Sequence, residues 1–468
     1  MLNNFFTSIL KLRFRIFNIQ RQVQKLLTAE RILVLSFASF ILLGTFLLML
    51  PQATIGSPLD FINALFTATS ATCVTGLVVV DTGARFTLLG QLIILMMIQL
   101  SGLGIMTFST AFLYILEGRL SLGSRDLLHE TLSQGPMPNL KSLLKTVFFA
   151  TIVIEGIGSI ILSLRFLLEM PPAQAIYHGI FHAISAFCNA GFALYSDSLM
   201  AYRGDLIVNF TISILIILGG LGFIVIYELH RVRELRWSSL SFHIRLVLVM
   251  TILLIVAGAI LFFFLEIKNS IEKLPWDTKI LASFFQSVTA RTAGFNTINI
   301  GSLSNPTLFI LIILMFIGAS PASCGGGIKT TTFAILISML KARFSNQENV
   351  NLFYRRIPSE TVSKAISITF FSFICVTACT VLLLITELAG LSHRESRGLF
   401  MELLFEVTSA FGTVGLSTGT TPNLSSAGRI LITMMMFIGR LGPLTIAMTV
   451  GRKEKAYYKY AQEKVLVG

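Results

Sequence analysis

Apolar residues in this chain come in long blocks bounded by charges. No charged side chain occurs between Arg31 and Asp60, Arg85 and Glu117, Asp205 and Glu228, Arg245 and Glu266, Lys279 and Arg291, Arg291 and Lys329, or Lys364 and Glu387. A helix needs roughly 20 residues to cross a hydrocarbon layer about 30 Å thick. Together with two blocks that carry internal charges, 146–168 (Glu155, Arg165) and 430–451 (Arg440), these stretches predict eight spans. They fall near 32–50, 87–116, 146–168, 205–228, 246–265, 306–340, 365–387 and 428–450. Within each successive pair, the two spans are separated by a shorter, semi-apolar segment rich in Ala, Ser, Thr and Gly. Such a segment is either a surface loop or a re-entrant helix and turn, the latter tolerated at membrane depth only inside protein or beside a water-filled cavity.

Composition strengthens the membrane reading. Hydrophobic residues make up 54% and charged residues 13% of the 468, with a mean hydropathy of +0.80. Soluble proteins carry roughly 25% charged residues, so a soluble enzyme is excluded. The net charge of +13 is topological: 24 of the 36 Lys and Arg fall before the first span, in alternate loops and after the last span, and nine on the other side. The positive-inside rule then places both termini in the cytoplasm, with lipid rather than nucleic acid as the surrounding partner. Residues 1–31 read as a basic cytoplasmic segment without a cleavage site, and 452–468 as a cytoplasmic tail.

Four of the short segments align without a gap. They read FTATSATCVTGL from Phe66, FHAISAFCNAGF from Phe181, FFQSVTARTAGF from Phe284 and FEVTSAFGTVGL from Phe405, with glycines at 76, 191, 294 and 415. A second set of glycines follows 24 to 29 residues later, in LSGLG from Leu100, LGGLG from Leu218, FIGAS from Phe316 and FIGRLG from Phe437. The repeating unit is therefore span, re-entrant segment, glycine-bearing span, giving repeats at 32–118, 142–230, 244–342 and 363–451. Each unit crosses twice, so the four are parallel, unlike the inverted repeats of many secondary transporters. The expected fold is an all-α integral membrane protein of eight transmembrane helices and four re-entrant pore helices around a central pore.

At the axis, glycine permits the positive φ that a tight reversal requires. Val74, Thr75 and Gly76, Asn189, Ala190 and Gly191, Thr292, Ala293 and Gly294, and Thr413, Val414 and Gly415 would then present backbone carbonyls as a ring. Such a ring replaces the hydration shell of a monovalent cation, and pore-helix C-termini aimed inward favour positive charge. Packing of small residues explains one such segment as well, but four aligned copies poorly.

The sixth span is interrupted by Gly318, Pro321, Gly325, Gly326 and Gly327, followed by Lys329 and three threonines, which precludes a continuous helix over 318–332. Ile328 separates the glycines from Lys329, so this is not a phosphate-binding loop. Arg440 and Lys329 are ionisable groups at membrane depth, which face a cavity or a partner, or snorkel. Arg291 adjoins a filter turn and is expected to point away from the axis toward an acidic neighbour; Glu155 is expected near the cytoplasmic third, satisfied by water or a neighbouring helix. The five cysteines (73, 188, 324, 375, 379) and six histidines (129, 178, 182, 230, 243, 393) show no metal or nucleophile spacing, so no cofactor and no enzyme activity are expected.

Three stretches, TATSATCVTGLVVVDTG from Thr67, SVTARTAGFNT from Ser287 and GASPASCGGGIKTTT from Gly318, resemble the membrane subunits of Ktr potassium uptake systems in the Trk/Ktr/HKT superfamily. The resemblance runs from about residue 32 to 451 and implies channel-like potassium uptake across the plasma membrane. It implies that 318–332 is a gating loop, including Gly318, Gly325, Gly326, Gly327 and Lys329, and that Arg440 faces the pore. Gly at position 76, rather than Ser, accompanies potassium preference in that family. A homodimer and a soluble ring of nucleotide-binding regulators on the cytoplasmic face are further implications. Sodium as an activator, and a sodium-coupled or less selective monovalent cation carrier as the alternative function, stay open.

Overall fold

The computed structural model describes residues 29–103, 140–231, 237–392, 394–443 and 445–446. The cytoplasmic half of the expected span 87–116, the loop after it with His129, His393, nearly all of the N-terminal segment and the tail 452–468 lie outside these residues.

Four units of the same plan follow one another. Repeat 1 is α1 (Ala29–Leu48), pore helix α2 (Phe61–Thr72), the turn α3 (Thr82–Arg85) and inner helix α4 (Leu88–Gly102). Repeat 2 is α5 (Leu140–Phe166), pore helix α6 (Pro172–Phe187), inner helix α7 (Leu206–Leu221) and α8 (Phe223–Arg231). Repeat 3 is α9 (Phe242–Glu266), pore helix α10 (Trp276–Thr289), inner helix α11 (Asn305–Phe316) and α12 (Thr330–Phe344). A two-residue hairpin, β1 (Asn351–Leu352) with β2 (Arg355–Arg356), leads to repeat 4: α13 (Ser359–Glu387), pore helix α14 (Leu399–Gly412) and inner helix α15 (Ser426–Leu441).

Among the described residues, three helices are long and apolar enough to cross a membrane alone: Lys145–Phe166, Phe242–Glu266 and Ser359–Glu387. Their outward faces carry Phe149, Ile160, Leu164, Ile252, Phe264, Phe370 and Ile385, all exposed, while Thr69, Ser70, Thr72, Ser185 and Thr408 on the pore helices are buried. An apolar exterior around a polar interior is the distribution that lipid requires.

The inner helices depart from the expected continuous spans. Only the sixth was expected to break, yet each described inner helix stops near its second glycine. The expected span 205–228 bends by 94° between α7 and α8, at Gly222 with φ +97°. Helix α4 ends at Gly102 and α15 at Leu441, ahead of Gly442 with φ +85°. In repeat 3 the break is a whole loop from Ile317 to Lys329. A glycine in an apolar helix does not by itself announce a break, because neighbouring helices can support either state.

Each pore helix packs against the inner helix of the preceding repeat: α6 on α4, α10 on α7, α14 on α11, and α2 on α15. The last pairing closes the ring, and Arg429 donates to Asn63 Oδ1 across it at 2.7 Å. At the outer rim, carboxylates clasp the starts of two inner helices. Buried Glu266, ending α9, accepts from the Ser304 amide (2.9 Å), Ser304 Oγ (2.7 Å) and Thr307 Oγ1 (2.5 Å). Glu387, ending α13, accepts from the Ser425 amide at 3.1 Å and its hydroxyl at 2.5 Å. Glu266→Ala leaves one buried and two half-buried donors unmatched, so it is expected to lower stability by on the order of 3 kcal/mol. A lower melting temperature in detergent checks this; an unchanged one excludes the clasp as a stabilising element.

Candidate ion-conduction site

Beyond each pore helix the chain reverses through two residues of positive φ flanking one further residue. The angles are +55° and +90° at Val74 and Gly76, +60° and +69° at Asn189 and Gly191, +72° and +84° at Thr292 and Gly294, and +48° and +92° at Thr413 and Gly415. The middle residue of each turn donates its amide back to the pore helix: Thr75 to Ser70 O (2.8 Å), Ala190 to Ser185 O (2.7 Å), Ala293 to Thr289 O (3.0 Å) and Val414 to Ser409 O (2.9 Å). Hydroxyls brace the turns from behind. Ser70 and Ser409 accept from the Gly76 and Gly415 amides at 3.1 Å, while Ser185 donates to Phe192 O at 2.8 Å. In repeat 3 valine occupies the equivalent position, and the hydroxyl moves one residue on, Thr289 donating to Phe295 O at 2.6 Å.

The turns meet in a closed cycle. A Cβ on Gly76 would lie 2.5 Å from Ala190 O, on Gly191 2.6 Å from Ala293 O, on Gly294 2.5 Å from Val414 O, and on Gly415 2.1 Å from Thr75 O. Each glycine therefore rests against the carbonyl of the residue before the glycine in the next repeat, in the order 1, 2, 3, 4 and back to 1. All twelve sequence-derived residues come together here; glycine is required both for its φ and for this backbone approach.

Below the turns lies the loop of repeat 3. It begins and ends on the bridge between Ile317 and Ile328 and touches every repeat. Ser320 and Cys324 donate their amides to Gly220 O (3.2 Å) and Gly219 O (3.3 Å), and the Phe223 amide donates to Ala322 O at 2.8 Å. The Gly326 amide donates to Thr413 Oγ1 at 2.8 Å, and a Cβ on Gly325 would lie 2.1 Å from Thr292 Oγ1. Arg440, buried, donates through Nη1 to Cys324 O and through Nη2 to Ser101 O at 2.8 Å. Lys329 curls back, its Nζ 2.6 Å from Gly325 O. The loop thus hangs on repeats 1, 2 and 4 immediately under the Thr292 and Thr413 side chains.

Two sequence expectations are corrected or sharpened. Arg291 does point away from the turns, but among the described residues it meets no acidic neighbour: its guanidinium faces the Thr251 carbonyl (3.4 Å) and hydroxyl (3.5 Å) on α9. Glu155 is buried between repeats 1 and 2, accepting from Gln99 Nε2 at 3.0 Å and facing Cys188 Sγ at 3.8 Å, so neighbouring helices supply its partners. The structure also sets the register of the second glycine set. Gly219 and Gly439 are equivalent, because a Cβ on either would strike the carbonyl of Phe187 or Phe411, itself an equivalent pair. Arg440 therefore occupies the register of Gly102 and Gly220.

The family model for the cation transport protein TrkH matches residues 2–457. The chain is similar to Ktr system potassium uptake protein B of Vibrio alginolyticus, at 41% identity over 94% of both chains. It is similar to the protein of the same name from Bacillus subtilis, at 40% over 94% of this chain and 97% of that one. The potassium/sodium uptake protein NtpJ of Enterococcus hirae is 36% identical over 96% of this chain and 99% of its own. The fold of this chain is similar to that of the potassium transporter TrkH of Vibrio parahaemolyticus, with a TM-score of 0.70, 17% identity and coverage of 89% of this chain and 83% of that one. The chain belongs to the TrkH/Ktr family of membrane cation transport proteins.

Proposed function

We propose that the chain mediates channel-like potassium uptake across the plasma membrane, with the four turns as its selectivity filter. The cyclic contact of glycines 76, 191, 294 and 415 with neighbouring carbonyls carries this reading. A ring in which each unit is fixed by the next presents oxygens at a set spacing, which is what discriminating between dehydrated cations demands. Potassium is the ion named for the relatives from Vibrio alginolyticus and Bacillus subtilis. The loop 318–332 is the gate in this reading: it underlies the filter and is held by Arg440. Opening requires it to withdraw, and a cytoplasmic partner acting on the helices that flank it, α8 and α12, supplies the means. The proposal includes a homodimer, a soluble nucleotide-binding regulator, cytoplasmic termini and sodium as an activator.

The name of the Enterococcus relative, which includes sodium, supports keeping a second reading, a sodium-coupled or less selective carrier. Rubidium uptake into proteoliposomes separates the two. The channel reading expects rubidium to enter down its own gradient without a sodium gradient, blocked by potassium and weakly by excess sodium. Uptake that requires an inward sodium gradient, or equal competition by sodium, would overturn it.

A further inference from the structure

Pore helices α6 and α14 carry a buried acceptor at the same register, His182 and Glu406, each directly after the first Phe of its aligned segment. Both reach the residue three positions beyond the filter glycine. His182 Nε2 accepts from the Leu194 amide at 3.3 Å, and Glu406 Oε1 from the Thr418 amide at 3.0 Å. The imidazole is fixed for that task. Its Nδ1 lies 2.8 Å from the His178 carbonyl, which calls for a proton there and leaves Nε2 as the acceptor. Tyr195 stacks on the ring at 5.0 Å, with its hydroxyl 3.1 Å from His178 Nδ1. Glu406 is held likewise by Ser417 Oγ at 2.6 Å and by the Thr421 hydroxyl.

The same two residues bear a second load. The Leu194 carbonyl lies where a Cβ on Gly83 would come within 2.1 Å, and the Thr418 carbonyl where one on Gly301 would come within 2.7 Å. Gly83 and Gly301 occupy one register, seven residues past Gly76 and Gly294. Repeats 2 and 4, opposite each other in the cycle, thus brace the mouths of repeats 1 and 3. Repeats 1 and 3 lack the acceptor: Thr67 turns its hydroxyl back to Asn63 O at 2.9 Å, and Phe285 has none.

We infer that His182 and Glu406 are positioning residues for ion discrimination, anchoring the outer end of the filter as two opposed struts in an otherwise fourfold ring. The inference rests on the filter reading above. They touch no ion; they set the position of the backbone that follows Gly191 and Gly415.

The test compares rubidium and sodium uptake in proteoliposomes for the parent, His182→Phe, Glu406→Leu, His182→Gln and Glu406→Gln. A glutamine oxygen can still accept the amide, and in Glu406→Gln the Thr421 hydroxyl can reverse to accept from the new NH2. Discrimination is expected to fall at least about threefold in the Phe and Leu variants, on the scale of one lost hydrogen bond, and to stay near parental in both glutamines. Amide exchange in the parent gives an independent reading that needs no variant: Leu194 and Thr418 should exchange more slowly than Val79 and Thr297. Unchanged discrimination in Phe and Leu, glutamines as impaired as they are, or equal exchange at all four amides overturns the inference. A parent that does not discriminate counts against the filter reading instead.

Discussion

Gly415→Ala is expected to reduce rubidium uptake at least about tenfold and to erase most of its advantage over sodium, the strain of one methyl at a positive φ being about 1–3 kcal/mol even before any clash. The clash is the larger part. Gly415 has φ +92°, and the new Cβ would stand 2.1 Å from the Thr75 carbonyl, the closest of the four such approaches. That oxygen belongs to the filter turn of repeat 1, and a carbonyl cannot yield as a flexible side-chain end does. Either Thr75 rotates its oxygen away or the two turns separate, and both alter the spacing on which discrimination depends. Thermal unfolding in detergent should change far less than selectivity, since the packing of α2 and α14 is untouched. Wild-type selectivity in a folded Gly415→Ala protein would remove the cyclic ring as the selecting element.

Arg440→Ala has the opposite sign. Without any partner protein, rubidium flux is expected to rise by about ten- to a hundred-fold, because hydrogen bonds from a charged donor contribute roughly 1.5–3 kcal/mol each. Two such bonds tie the loop carbonyl of Cys324 and the end of α4 at Ser101 to α15. The loop's hydrogen bonds to Gly102, Gly219, Gly220, Phe223 and Thr413 are all between neutral groups. The variant therefore biases the loop toward withdrawal and also removes a cation beneath the filter. Arg440→Lys should fall between, as lysine keeps the charge but cannot form the fork. A flux that is unchanged or lower in Arg440→Ala would show that the guanidinium does not hold the pore shut.

The four turns were legible in the sequence because their conformation is glycine-specific: only Gly combines φ of +69° to +92° with backbone contact, so Gly76, Gly191, Gly294 and Gly415 had to recur. The loop was legible for the same reason, with five breakers between Gly318 and Gly327. The bend at Gly222 was not. Its neighbours are uniformly apolar, and what selects the bend is a distant acceptor, the Ala322 carbonyl that takes the Phe223 amide. The register of Arg440 is set in the same way by packing, since contacts with Phe187 and Phe411 align Gly219 with Gly439. Glu406 carried an available signal, a carboxylate inside a Ser- and Ala-rich segment. His182 carried less, as a histidine on an apolar face is usually a satisfied core residue. Arg291 was expected to need a carboxylate, yet carbonyl and hydroxyl oxygens of Thr251 serve it.

Closure of the ring has a consequence for biogenesis. Pore helix α2 is synthesised long before the inner helix it packs against, α15. Asn63 waits for Arg429, and Gly415 for the carbonyl of Thr75, across more than 330 residues of chain. Until then the polar face of α2, with Thr69, Ser70 and Thr72, has no permanent neighbour on one side. Contacts so distant in sequence form late and leave incomplete chains exposed to misassembly. A chain truncated within repeat 4 is therefore not three-quarters of a pore but an open ring with an unsatisfied first segment, a natural substrate for membrane quality control.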